Sequence, residues 1–277
     1  MIDRYSNPLL RLAISAFLVL SALLTIAPVL WIVGLSLKSG ADVYSSSFVP
    51  ASFNPDNYLT AWQEFGLGPL FFNSVIVTGL SVGLSLFFAI LAAYGFAKVP
   101  FRGSEALFVA ILLGIMIPPA ALIIPLFAQL NAVGLYDTHV GLALVYTAFG
   151  LPVAILILRS FFVSIPRELI EAARLDGAGE RRILWQVVVP LSRAPIATVT
   201  VLLFLAAWND FFLALVLLRD AATYTLPVGI AQFIGQYSTP YELVAAAVLI
   251  AAAPIVVLYL AIGTQFERGV AEGAVKA

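Results

Sequence analysis

Side chains able to do chemistry are scarce in this chain, and their types exclude most reactions before any fold is considered. There is one histidine, His139, and no cysteine, so disulfides, thiolate metal sites and an H-E-x-x-H zinc site have no residues to build them. No G-x-x-x-x-G-K-[ST] phosphate loop occurs, and ATP is not expected to bind here in that manner. The apolar runs contain no paired carboxylates, which leaves a membrane-embedded enzyme without an acid and base. Asp210 is the one ionisable group well inside an apolar run. A charge at that depth costs at least ~2.5–3.5 kcal/mol on insertion scales, so it is a functional candidate by default. Around it, Trp208, Asn209, Phe211 and Phe212 offer aromatic faces and polar groups suited to the apolar faces and hydroxyls of a sugar. The alternative is that Asn209 and Asp210 hydrogen-bond to a neighbouring helix. A lone carboxylate is thin for ion coupling.

The second concentration of polar residues is Glu171 to Pro190, EAARLDGAGERRILWQVVVP, set between long apolar runs. Pro166 suits a first helical position, Glu168 sits where the helix dipole favours an anion, and Gly177 can adopt the left-handed conformation that ends a helix. The resulting helix has about three turns, too short to persist alone in water. Leu169, Ala172 and Ala173 are expected to share one stripe, with Glu171, Arg174 and Asp176 at its edge. A second helix, about 180–189, groups Ile183, Leu184, Val187 and Val188 before Pro190 is expected to stop it. Three occupants suit such two-faced helices: a partner protein, the chain's own bundle, or lipid. Between Ser164 and Arg193 five arginines face four acidic residues. The attraction of a basic helix for anionic lipid is therefore largely cancelled.

The surrounding elements are those of a bilayer protein. Apolar residues make up 62% and charged residues 10%, against about 25% charged in soluble domains. Six runs approach the ~20 residues needed to cross hydrocarbon: 12–36, 70–97, 105–127, 139–162, 194–218 and 242–263. The first is too long for the apolar core of a cleavable signal and is read as a span. Twelve of the 14 Lys and Arg lie in the two termini, the second loop and the 163–193 loop with its flanks. By the positive-inside rule both termini and that loop are cytoplasmic, with 38–69, 128–138 and 219–241 outside. Pro28, Pro118, Pro119, Pro125, Pro152 and Pro254 interrupt the spans and are expected to kink them or to be accommodated by neighbouring helices. No repeat or soluble module appears, so residues 1–277 read as one all-α transmembrane domain.

The spacing of Glu171-Ala172-Ala173, Gly177, then Val187 and Val189-Pro190 resembles the EAA loop of binding-protein-dependent ABC-importer permeases. The family has Ile and Leu where Val187 and Val189 stand, a departure that keeps the apolar contact. Asn73-Ser74, Ala92-Ala93-Tyr94, Trp208-Asn209-Asp210-Phe211, Thr225-Leu226-Pro227-Val228-Gly229 and Gly273-Ala274-Val275-Lys276 extend the likeness over nearly the whole chain. Together they resemble the second, six-span permease of maltose-type carbohydrate importers.

That resemblance implies a division of labour. Glu171, Ala172, Ala173, Asp176, Gly177 and Pro190 become the surface that couples to a cytoplasmic ATPase. Gly273 and Lys276 become a second contact with it, and Trp208, Asn209 and Asp210 candidates for the translocation path. The implied partners are a second homologous permease, two ATPase subunits, an extracytoplasmic solute-binding protein, a carbohydrate and membrane lipid, with no nucleic acid. No cofactor is expected in this chain, ATP and Mg belonging to the ATPase. The expected location is a bacterial or archaeal cytoplasmic membrane. Two rival readings keep the same spans: an importer of glycerol-phosphate-type solutes, and a facilitator working alone.

Overall fold

A computed structural model describes residues 8–64, 66–99, 101–234 and 239–275, and among them all regular structure is helical. The order is α1 (Pro8–Ser36), α2 (Asp56–Gln63), α3 (Leu67–Lys98), α4 (Ser104–Leu113), α5 (Ile123–Ala132), α6 (His139–Ser164), α7 (Arg167–Leu175), α8 (Glu180–Ile183), α9 (Val189–Leu191), α10 (Arg193–Trp208), α11 (Phe212–Leu217), α12 (Leu226–Gln232) and α13 (Tyr241–Val275). Four helical stretches are long and apolar enough to cross a bilayer unbroken: Leu9–Ser36, Leu67–Lys98, His139–Ser164 and Tyr241–Gly263. Two bent pairs raise the number to six if each is one span. Within hydrocarbon an unsatisfied backbone group costs several kcal/mol, which is why the four unbroken segments are helical throughout.

The expected third and fifth spans are broken. In the third, Ser104–Met116 and Pro119–Ala132 meet at 96°. Pro118 forces Ile117 out of the helical region (φ −86°, ψ 114°), and Pro119 does the same to Pro118 (ψ 134°). Two successive prolines thus make a corner where one would make a kink. Pro28, Pro152 and Pro254 lie inside continuous helices. The fifth run divides at residues 209–211, between α10 and α11.

The expected stop at Pro190 also moves. A π-helical stretch, Leu184–Val188, leads into α9 without leaving the helical region (Val188 φ −68°, ψ −50°). Pro190 therefore lies near the end of the continuous stretch Glu180–Leu191, its missing N–H falling after the wider π-helical turn, and the chain stays helical through Leu191. The turn comes at Ser192, a buried residue whose hydroxyl donates to the Val188 carbonyl at 2.6 Å. There Glu180–Leu191 and Arg193–Trp208 are bent by 81°.

By contacts the chain forms two compact units, 1–67 with 230–252, and 68–229 with 253–277. In the first, the loop after α1 is held by Lys38, only 1% exposed, whose Nζ donates to Ser45 O (3.2 Å), Ser45 Oγ (3.1 Å) and Ser47 O (2.7 Å). Asn57 on α2 completes it, donating to the Ser36 and Lys38 carbonyls at 2.8 Å.

In the second unit two buried clusters lie along α3 and α6. One joins Ala89, Ala93, Ala154 and Leu158 to Ile170, Ile183, Leu184 and Val188. The other joins Val77, Leu142, Tyr146, Leu213 and Val228. Lipid tails are as apolar as leucine, so burial there gains little from water exclusion, and close packing by small residues takes over. Gly150 shows it: a Cβ at this position would stand 2.5 Å from Leu203 Cδ2 and 3.4 Å from Ser85 Oγ.

The loop before α6 is clasped by Asp137, at φ 57°. Its carboxylate accepts from the backbone of Arg219 (2.8 Å) and Asp220 (3.2 Å) and from the Thr223 hydroxyl (2.8 Å). Desolvation by itself would raise its pKa; these three donors and the Arg219 charge outweigh it and hold the carboxyl below its ordinary value. His139 opens α6 with Nε2 3.1 Å from the Thr223 carbonyl, so the Asp137–His139 pair fastens two loops together.

Candidate functional site

The 163–193 loop begins where α6 ends at Ser164, and its first helix, α7, stops by a Schellman closure. Ala178 N–H donates to Ala173 O and Gly177 N–H to Arg174 O, both at 3.0 Å, with Gly177 at φ 80°. Ala173 and Ala178, the two residues such a closure brings together, both pack against the core cluster beneath. The Glu-Ala-Ala-x-x-x-Gly spacing is therefore a helix stop whose second alanine faces inward.

This alters the expected stripe. Ile170 (buried) and Ala173 (half-buried) are the inward pair, while Leu169 and Ala172 are exposed. Glu168, Glu171, Ala172, Leu175 and Asp176 form an outward surface, with Leu175 90% exposed. In the second helical segment Ile183, Leu184 and Val188 are buried and Val187 half-buried. Pro190 is exposed, two residues before the bend.

Polar bonds fasten the loop to α3. Lys98 donates to the Ile165 carbonyl at 2.7 Å. Tyr94 donates to Glu180 Oε2 at 2.5 Å, and Arg174 grips Glu180 Oε1 from two nitrogens at 2.9 Å.

Between the two buried clusters lies a cavity of about 290 Å³, lined in part by Ser81, Ser85, Tyr146, Gly150 and Asp210. Asp210 stands in the break of the fifth run and caps α11, its Oδ1 accepting from Leu213 N (3.0 Å) and Ala214 N (3.1 Å). The same oxygen accepts from the Tyr146 hydroxyl at 2.7 Å. The two readings of Asp210 thus coexist: it bonds across to α6 and borders a cavity. Its neighbours point elsewhere. Trp208 is 3% exposed, stacked on Phe204 at 5.4 Å and edge-on to Phe71 at 5.7 Å. Asn209 is exposed and donates to its own helix at Leu205 O, 2.9 Å.

Two motifs about 150 residues apart prove to be partners. Asn73 Nδ2 donates to Ala222 O (2.8 Å) and Tyr224 O (2.9 Å), and Leu226 N–H donates to Ser74 Oγ (2.7 Å). A Cβ on Gly229 would overlap the Leu70 side chain, so glycine lets α12 close on α3. Gly273 lies in α13, while Lys276 falls outside the described residues.

Tyr146, Ser81, Ser85, Tyr94 and Glu180 were not singled out from the sequence for these contacts. The serines carried a signal: Ser74, Thr78, Ser81 and Ser85 recur every three or four residues in an otherwise apolar helix, and all four are buried.

Several helices long and apolar enough to cross a bilayer, packed around a cavity that Asp210 borders, make this a multi-pass membrane protein. The chain matches the family described as binding-protein-dependent transport system inner membrane component over residues 85–272, and it belongs to that family. It is 35% identical over 261 residues to the probable ABC transporter permease protein YurM of Bacillus subtilis, covering 94% of this chain and 87% of that one. To the trehalose transport system permease protein SugB of Mycobacterium tuberculosis it is 38% identical over 256 residues, 90% and 92% of the two chains. Among solved structures, a chain of a bacterial ABC transporter that imports the acidic polysaccharide alginate superposes with a TM-score of 0.84 at 26% identity, covering 95% of this chain and 99% of that one.

Proposed function

We propose that this chain is one of two permease subunits of an ATP-driven importer that moves a di- or oligosaccharide from an extracytoplasmic binding protein into the cytoplasm. The observation that carries this is the outward face of α7, where Glu171, Ala172, Leu175 and Asp176 are exposed while Ile170 and Ala173 brace the helix from behind. A leucine 90% exposed at the tip of a helix whose polar residues mix Arg167 and Arg174 with Glu168 and Glu171 favours a protein partner over anionic lipid, which would need an excess of positive charge. On this reading the 163–193 loop and both termini are cytoplasmic, α7 seats in a cleft of an ATPase subunit that holds ATP and Mg, and the tail at Gly273 and Lys276 adds a lesser contact. ATPase closure then biases a two-state bundle between inward- and outward-facing forms.

The cavity beside Asp210 supports a carbohydrate over a glycerol-phosphate-type solute. Its lining is mostly apolar with Asp210 among its few polar residues, and a carboxylate there repels a phosphate while it can accept from a sugar hydroxyl. Relatives named for trehalose and for melibiose, raffinose and stachyose agree with that choice. The test is reconstitution. Liposomes holding this chain with its companion permease and ATPases should take up sugar only with ATP and the loaded binding protein. Uptake by this chain alone would establish a facilitator instead.

A further inference from the structure

The tyrosine of the Ala92-Ala93-Tyr94 motif is buried and spends its hydroxyl on the loop. Tyr94 and Lys98 stand one turn apart on one face of α3. Lys98 holds the carbonyl of Ile165, where the chain leaves α6, and Tyr94 holds Glu180, the first residue of α8. Arg174, near the end of α7, closes on the same Glu180 carboxylate. The loop is thus tied to α3 at its entry and at its middle, and α7 is tied to α8 through the shared acid. Ser85 and Ser81, which border the cavity, lie on α3 nine and thirteen residues before Tyr94. At 1.5 Å per residue those are about 13 Å and 20 Å along a continuous helix. Loop and cavity wall are two ends of one rod.

We propose that Tyr94 is a positioning residue for energy coupling: its bond to Glu180 makes the α7–α8 hairpin and α3 move together, so that displacement of the loop reaches the cavity through α3. This rests on the reading of α7 as the ATPase-docking helix. Tyr94→Phe removes only the hydroxyl and keeps the buried ring, which separates the bond from packing. Glu180→Ala removes the acid and with it the bonds from both Tyr94 and Arg174.

The experiment uses the complete complex in liposomes with its loaded binding protein, and reads sugar imported per ATP hydrolysed, together with retention of the ATPase on purification. Tyr94→Phe retains the ATPase and its hydrolysis, while import per ATP falls about fivefold, the low end of usual coupling between sites. Glu180→Ala falls at least as far, and adding Tyr94→Phe to it costs nothing more, because the two act through one bond. An unchanged import ratio in Tyr94→Phe overturns the proposal, as does an additive double variant. Loss of the ATPase from Tyr94→Phe also overturns it, since the residue then serves assembly. A wild-type complex that retains no ATPase sinks the docking reading itself, a result distinct from all of these.

Discussion

Gly177→Asp isolates the docking surface because the structure gives the substitution almost nothing else to disturb. A Cβ at residue 177 has no heavy atom within 4 Å, so the new side chain enters open space and displaces no core group. The remaining cost is conformational. At φ 80° an L-residue gives up roughly 1–2 kcal/mol, and Asp and Asn, which tolerate the left-handed region best, less than that. The two backbone bonds of the Schellman closure, Ala178 N–H to Ala173 O and Gly177 N–H to Arg174 O, involve no side chain and survive. A loss of about 1 kcal/mol is small beside a stability of ~5–15 kcal/mol. Membrane insertion and assembly with the companion permease should therefore be normal. What changes is the surface: a carboxylate projects beside exposed Asp176 and Leu175, where on the proposed reading an ATPase cleft closes. ATP hydrolysis by the purified complex, with and without loaded binding protein, should show stimulation abolished in Gly177→Asp. Gly177→Asn, with a similar backbone cost and no charge, should retain more. Wild-type stimulation in Gly177→Asp would refute the placement of this turn at the ATPase. Failure of both variants to insert would refute the claim that the substitution is locally mild.

Asp210→Ala removes the cap of α11, a change worth about 1 kcal/mol, and leaves the buried Tyr146 hydroxyl without its acceptor, worth about 1–3 kcal/mol more. Transport should be lost with assembly retained, and Trp208→Ala, which removes a stacked ring away from the cavity, should lower the melting temperature more than it lowers solute affinity. Lys38→Met strands the carbonyls of Ser45 and Ser47, and limited proteolysis should show the 38–53 loop cut much faster than in wild type. The folded-state pKa of Asp137 is depressed, so its contribution is complete above the unfolded value near 3.9 and is lost as pH falls through the lower folded value. Protection of the Arg219 and Asp220 amides, measured against unstructured amides at the same pH, should persist through about pH 4 and fall only as pH drops below the ordinary carboxyl range. Asp137→Asn should remove that pH dependence.

Long-range pairing is what the sequence leaves illegible. The six apolar runs, the polar island and the helix stop at Gly177 depend on local rules, hydropathy and the φ freedom of one glycine, and each can be read within a dozen residues. The Ser74-Thr78-Ser81-Ser85 stripe is local too and was open to reading. The partner of Asp210 is not: Tyr146 lies 64 residues away, and nothing in its apolar surroundings marks it. The same holds for Tyr94 and Glu180, and for Asn73 with the 222–224 carbonyls. Pro190 reads from the sequence as a helix stop, yet the helical stretch with its π-helical turn runs one residue beyond it, to Leu191. Ala172 and Ala173 are alike in type, so only the core beneath α7 determines which of them turns inward.

The chain has no cysteine, so one can be placed wherever a contact is to be read. The most direct test of ATPase docking is Leu175→Cys at the exposed tip of α7, joined by a short bifunctional reagent in the assembled complex, with Phe53→Cys in the 38–69 loop as the contrast. If α7 docks on the ATPase, residue 175 crosslinks to the ATPase subunit and residue 53 does not. Absence of ATPase crosslinks at residue 175 in both nucleotide-free and ATP-bound complexes would contradict that docking.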